Sequence, residues 1–364
     1  MPTKKIIAPF YERLALILIG FCILGYLLIL AKDLVDPLIF GFLFAVLLLP
    51  ISEFLEKKLR LPRSASSFLS IILLVAFVGG ILYLVGAQIS NLNNDWPMLK
   101  KQVEQSASGL QEWVHYTFKI DATQQMSYVD TTARKIMASG GVVLETTFGA
   151  ISSLMLFYVF IMVFTFFILF YRRLLFRFVI SVFQDDNSHV VVDIAENVQK
   201  ILRQYIFGLL LEMVIVAAVA ITAFWIIGIK YAALLGLIVG LFNIIPYLGI
   251  FTALLLSVVI TFATGTISDT FTVGVCVVAI HALDANFLLP AVVGSKVRLN
   301  ALITFIGIIL GEMLWGLSGM FLSIPIIAIF KIIFDRVEAL KPWGYLLGGD
   351  YEVKKSAKEE MKTE

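Results

Sequence analysis

Eight apolar stretches divide this 364-residue chain: Leu14–Ala31, Leu34–Phe54, Phe68–Ala87, Phe148–Tyr171, Tyr205–Ile229, Tyr231–Ala263, Phe271–Leu289 and Ala301–Phe334. About 20 apolar residues of helix cover a bilayer core of about 30 Å. Inside lipid every backbone polar group must be satisfied, so such stretches fold as helices unless a barrel closes. Continuous apolar runs of this length select helices over strands. Composition agrees, with 60% hydrophobic and only 15% charged residues and a mean hydropathy of +0.96. A soluble domain carries about 25% charged residues, and the apolar excess here must face lipid. The expectation is an all-α integral membrane protein with about six full spans plus two broken re-entrant hairpins, or eight spans. Lys4 and Lys5 precede the first run, as in a secretory leader. That run is long for a leader and no small-x-small cleavage site follows it, so it reads as a retained helix.

Basic residues set the expected orientation, because Lys and Arg accumulate on the cytoplasmic side. Lys4, Lys5 and Arg13 precede the first span, and Lys57, Lys58, Arg60 and Arg63 follow the second. Arg172, Arg173, Arg177, Lys200 and Arg203 lie between the fourth and fifth, and Lys331, Arg336 and Lys341 close the last. Alternating spans bring all four groups to one side. Both termini are then cytoplasmic, in a multi-pass protein of the inner (plasma) membrane. The polar segment Gln88–Thr147 falls on the other side. Its Ile89, Leu92, Trp96, Leu99 and Val103 recur at helical spacing, which makes it amphipathic. Val191, Ile194, Val198 and Ile201 mark a cytoplasmic helix that bends into the fifth span. The organisation reads as three spans (1–87), an extracytoplasmic helical segment (88–147), a fourth span with its connecting helix (148–204), a core (205–340) and a cytoplasmic tail (341–364).

Two blocks exceed one crossing. A 33-residue helix would extend about 50 Å at 1.5 Å per residue. Tyr231–Ala263 is interrupted by Asn243-Ile-Ile-Pro246-Tyr247-Leu-Gly249, and Ala301–Phe334 by Trp315-Gly316-Leu317-Ser318-Gly319. Pro and Gly break helices at such points. Each block is either a re-entrant hairpin or one kinked, tilted crossing. Hairpins bring the basic Lys296–Arg298 loop to the cytoplasm, which favours them.

Ionisable groups inside apolar helices are costly and mark function or helix–helix adhesion. Glu212, Asp284 and Glu312 are three such carboxylates. Glu212 continues a face through Gln204 and Gly208, four residues apart. His281 and Asp284, three apart, can pair and relay a proton. Asn286 and Pro290 follow, and Pro290 loosens its helix. Asn243, Pro246, Tyr247 and Gly249 at one break, and Gly316 and Gly319 at the other, can line a polar path. For each residue a structural role is the competing reading.

Other chemistry is poorly supported. Cys22 and Cys276 sit apart in apolar runs, and His115, His189 and His281 are scattered, so no metal site and no cofactor are expected. A net charge of +2 argues against a nucleic-acid partner. No H-E-x-x-H and no Walker A sequence occurs. Gly316-Leu317-Ser318-Gly319 with His281 leaves a distant alternative, an intramembrane serine protease. The expected partners are membrane lipid, a small polar solute, H+ or Na+, and further copies of the chain, since small-residue faces and polar stretches offer surfaces for a homo-oligomer.

The run Ile245-Pro246-Tyr247-Leu248-Gly249 resembles the I-P-Y-L-G signature of the autoinducer-2 exporter family of permeases. Asp284-x-Asn286-x-x-x-Pro290-x-x-x-Gly294 resembles that family's second element, and Gly316-x-x-Gly319 with Pro325 its ending. The resemblance implies a secondary transporter exporting a small polar solute or signal molecule, or a monovalent cation/proton antiporter. The family often carries Gln and Glu at the positions of His281 and Asp284, Pro at Asn300, and a small residue at Glu312.

Overall fold

The computed structural model describes residues 10–94, 155–182, 188–245, 248–294 and 299–348. Among them the helices are α1 (Phe10–Leu30), α2 (Lys32–Lys58), α3 (Arg63–Asn94), α4 (Met155–Val182), α5 (Ser188–Ile227), α6 (Ala232–Phe242), α7 (Leu248–Thr264), α8 (Ile267–Leu283), α9 (Ala301–Trp315), α10 (Leu317–Arg336) and α11 (Lys341–Gly348). No strand occurs among the described residues. Six helices are long and apolar enough to cross a membrane: α2, α3, α4, α5, α8 with its continuation, and α10. Shorter apolar helices are Leu18–Leu30 within α1, together with α6, α7 and α9. Tyr83, Trp225 and Phe271 are about three-quarters exposed. Aromatics turned outward from apolar helices require lipid around them. The chain is therefore an all-α membrane protein.

Boundaries moved where polar residues continue a helix. α3 runs to Asn94, so Ile89 and Leu92 belong to it. The remainder of Gln88–Thr147 lies outside the described residues. α4 continues past Tyr171 to Val182 and carries Arg172, Arg173 and Arg177 on its last turns. The amphipathic connecting helix and the fifth span form one 40-residue helix, α5. No Pro or Gly falls between Val191 and Tyr205 to interrupt it.

Lipid removes the usual gain from burying apolar surface, so helices in a membrane adhere by close backbone packing at small residues. α6 shows this against α5. A Cβ added to Gly240 would lie 2.8 Å from the Met213 carbonyl oxygen, and one on Gly236 would meet the backbone of Ile221. This register runs α6 antiparallel to α5. Val216, Ala220 and Phe224 of α5 share a buried cluster with Leu235 and Val239 of α6, Ala253 of α7 and Val273 and Val277 of α8. Gly274 of α8 faces Val258 of α7, so these two helices are also antiparallel. A second cluster joins α2 (Leu43, Val46), α5 (Leu202, Tyr205, Ile206, Leu209), Trp315 of α9 and Leu322 of α10. On α2, Gly41 lies against Phe164 and Thr165 of α4. Thr165 Oγ1 donates to the Ile161 carbonyl at 2.7 Å and lies 3.3 Å from the Gly41 carbonyl.

Both long blocks break where Pro and Gly stand. The first divides between Phe242 and Leu248, and α6 packs against α7 across the break. The second divides at Gly316, whose φ of 66° and ψ of −139° suit glycine alone. α10 folds back on α9. Gly311 and Gly319 meet backbone to backbone, with no room for a Cβ on either. The Asn300 N–H donates to the Leu347 carbonyl at 2.7 Å, so the start of α9 lies beside α11, close to where α10 ends.

Charged residues gather at one end of the bundle. Arg172 of α4 pairs with Glu56 of α2 at 2.7 Å, both largely buried. Arg336 of α10 pairs with Asp193 of α5. Lys57 and Lys58 of α2 share a cleft with Arg203 of α5. The second, third and fourth basic groups of the sequence thus meet at a common end.

Candidate functional site

Three elements converge on one polar centre. α5 presents Glu212 on the face that carries Gly208 and the half-buried Gln204, as the four-residue spacing predicts. α6 ends at Asn243, where the approaching Pro246 prevents continuation of the helix. α8 ends at Asp284, and there the helix widens: the Leu289 N–H reaches back five residues to the Asp284 carbonyl. Such π turns loosen a helix and recur at functional sites. Asn243 Nδ2 donates to Glu212 Oε1 at 3.1 Å and to Asp284 Oδ2 at 3.0 Å. Both carboxylates are 3% exposed. Their second oxygens, Glu212 Oε2 and Asp284 Oδ1, receive no N–H or hydroxyl donor among the described residues, and the two carboxyl groups lie within hydrogen-bond reach of each other.

The chemistry follows from the donor count. A side-chain amide owns two N–H donors, and here both serve carboxylates. No Lys, Arg or His pairs with either acid among the described residues. Two carboxylates in one another's field strongly disfavour a double negative charge in a low-dielectric interior. A single proton or a monovalent cation would balance the pair. Tyr205, two turns before Glu212 and fully buried, stands within its electrostatic reach. It belongs to the same helical face and could have been read from the Gln204–Gly208–Glu212 spacing.

The remaining candidates distribute differently. Gly249 is buried at the first break, and a Cβ there would collide with the Phe242 carbonyl. Its role is to permit the close return of α7. Pro246 and Tyr247 lie outside the described residues. His281 is half-buried and makes neither an ion pair nor a hydrogen bond with Asp284, whose side-chain partner is Asn243. Asn286 is exposed and returns its amide to the Ala282 carbonyl at 2.7 Å. Pro290 opens a second widened turn, Pro290–Gly294. Glu312 is exposed and is not drawn into the centre, and its backbone carbonyl accepts the Gly316 N–H. Gly316 and Gly319 shape the α9–α10 turn. Ser318 donates to the Trp315 carbonyl at 3.4 Å and has no histidine partner among the described residues.

The sequence reading overlooked Asp36. It is 3% exposed, its Oδ1 has no hydrogen-bond partner, and it lies beside Ser318 at the start of α10. Trp315 Nε1 donates to the Leu28 carbonyl at 3.1 Å, docking the same turn on α1. Asp36 was obscured by Lys32 and Asp33, which make its segment look interfacial.

Broken apolar helices that meet at buried carboxylates, within a multi-pass bundle, define a membrane transporter. Known sequences bear this out. The protein named "Putative transport protein YrrI" of Bacillus subtilis is 27% identical over 317 residues, covering 83% of this chain and 86% of its own. "Putative transport protein YueF" of the same organism is 26% identical over 312 residues, 80% of each chain. "Putative permease PerM" of Escherichia coli is 25% identical over 270 residues, 73% of this chain and 75% of its own. Residues 14–339 match the profile described as AI-2E family transporter, and the chain belongs to that family.

Proposed function

We propose that this protein is a secondary exporter of a small polar solute, coupled to a proton or monovalent cation that engages Glu212 and Asp284. The observation carrying this reading is the Glu212–Asn243–Asp284 centre, two buried acids joined by one amide. A structural polar contact would satisfy its acceptors. Here each acid keeps one oxygen that no other described residue serves, and the two carboxyl groups stand within hydrogen-bond reach of each other, which suits a pair that takes up and releases a proton or cation. The centre lies where α6 stops, so the Asn243 break joins the solute path to the coupling residues in one place. In this reading residues 205–340 are the transport core. The α6–α7 and α9–α10 pairs act as re-entrant hairpins from opposite sides, and the basic end of the bundle, with both termini, is cytoplasmic. The proximity of Asn300 to Leu347 supports this for α9–α10.

A second reading, cation/proton antiport, draws on the same carboxylates, with the cation as cargo. The test is flux in proteoliposomes with an imposed proton gradient, a sodium gradient, or neither, for the parent protein and Asp284→Asn. The amide keeps size and hydrogen bonding but cannot titrate. Solute flux that follows the gradient in the parent and loses that dependence in Asp284→Asn supports coupled export. Cation flux without any solute favours antiport. Unchanged flux in a well-folded Asp284→Asn protein makes the acid structural.

A further inference from the structure

We propose that the cleft between α2 and α5 at the basic end of the bundle is a binding site for an anionic phospholipid. The cleft encloses about 350 Å³ and is lined by Leu49, Pro50, Glu53, Phe54, Lys57 and Lys58 of α2 and by Gln199 and Arg203 of α5. Its charges are unequal. Glu53 is engaged by Lys57 at 2.8 Å. Lys58 rests over the Phe54 ring at 5.1 Å and has no carboxylate partner among the described residues, and Arg203 likewise has none. With Glu53 matched by Lys57, two cations, Lys58 and Arg203, and the Gln199 amide line the cleft in excess of its one carboxylate. This is the chemistry that receives a phosphate.

What distinguishes a lipid from a free phosphate is the surface leading away from the cations. One turn along α5 from Arg203 stands Phe207, 61% exposed, followed on the same face by Leu211 and Val214. On α2, Phe54 (52% exposed) and Ile51 lead in the same direction from Lys58. Both walls pass from cations to lipid-facing apolar side chains in going from the end of the bundle toward its middle. A molecule with an anionic head and apolar tails complements both parts at once, whereas a free anion uses only the first. Arg203 also lies on the helix that carries Glu212, nine residues away. A lipid held there bears on the orientation of the proposed coupling helix, although its binding does not depend on the transport reading.

The test compares the full-length parent with Lys58→Gln/Arg203→Gln. Both are purified and placed in nanodiscs of phosphatidylcholine alone or with phosphatidylglycerol, and lipid retention is read by native mass spectrometry and thermal melting. The parent should retain phosphatidylglycerol preferentially and melt higher in its presence. The double variant should melt like the parent in phosphatidylcholine and retain phosphatidylglycerol about thirtyfold less, given about fivefold for each of the two juxtamembrane cations. A parallel arm adds inorganic phosphate in place of the anionic lipid and should give no protection. Equal retention by parent and variant overturns the site. Full protection by inorganic phosphate overturns the lipid in favour of a free anion. A loss of retention that accompanies a change in oligomeric state assigns the face to a second copy of the chain, and also overturns the proposal.

Discussion

Asn243 is the joint of the centre, because both of its N–H donors are committed to acids on other helices. Asn243→Ala leaves two buried carboxylates with no donor between them. The expected loss is about 1–3 kcal/mol for each acceptor left unsatisfied, and it should appear as a lower melting temperature at neutral pH than the parent shows. Glu212→Gln and Asp284→Asn probe the pair as a unit. Each single change should lower coupled flux at least tenfold, and the double change should cost little more than either one, since groups acting together are non-additive. Multiplying single effects in a flux assay would show two independent sites. Sequence alone brought these three residues forward separately: Glu212 on a face with Gln204 and Gly208, Asp284 beside His281, and Asn243 at the Pro246 break. Their union spans 31 and 41 positions, a distance at which helical spacing carries no information. The same limitation bears on His281. Its three-residue separation from Asp284 permits contact, but the acid is claimed by a partner on another helix.

Helices here were legible from apolar length, and their interruptions from Pro and Gly, because both act through local backbone chemistry. The 40-residue continuity of α5 was not, since polar residues at its start looked like a separate segment. Nor were the glycines that decide how closely helices approach. Gly240 and Gly274 offer a direct comparison. Gly240→Ala places a methyl 2.8 Å from the Met213 carbonyl oxygen and should destabilise by about 1–3 kcal/mol through overpacking. Gly274→Ala meets Val258 at an ordinary 3.6 Å and should be neutral or stabilising by about 0.5–1 kcal/mol through helix propensity. Thermal melting in one detergent ranks the two, and reversed order would contradict the α5–α6 packing. At the α9–α10 turn, Gly316→Ala forces a side chain into a backbone region that is essentially glycine's alone, at a cost of about 1–3 kcal/mol. Ser318→Ala, two residues along, should retain most transport. Loss of all function in Ser318→Ala, with fluorophosphonate labelling of Ser318 in the parent, would replace the transporter reading by a hydrolase.

The whole molecule has a charged end and an opposite end, and accessibility can distinguish their sides. Glu338 lies at the charged end with its side chain 92% exposed. Ser268 lies at the opposite end, in the first turn of α8 beside the Thr266–Asp269 capping box. With Cys22 and Cys276 replaced by Ser, a membrane-impermeant maleimide should label Ser268→Cys in intact cells and Glu338→Cys only after permeabilisation. Labelling of Glu338→Cys in intact cells would invert the orientation. The unbroken length of α5 has a mechanical consequence. Forty helical residues measure about 60 Å, twice the hydrocarbon thickness, so α5 is a stiff rod that must protrude from the bilayer or lean within it. Asp193, clasped by Arg336, is near one end, and Glu212 is close to the rod's midpoint. A rod has no slack, and a tilt imposed at the clasp reaches Glu212 as displacement rather than being absorbed by a hinge. Whatever grips or releases that clasp in the cell holds a handle on the buried acids some 28 Å along the same axis, by the rise of about 1.5 Å per residue.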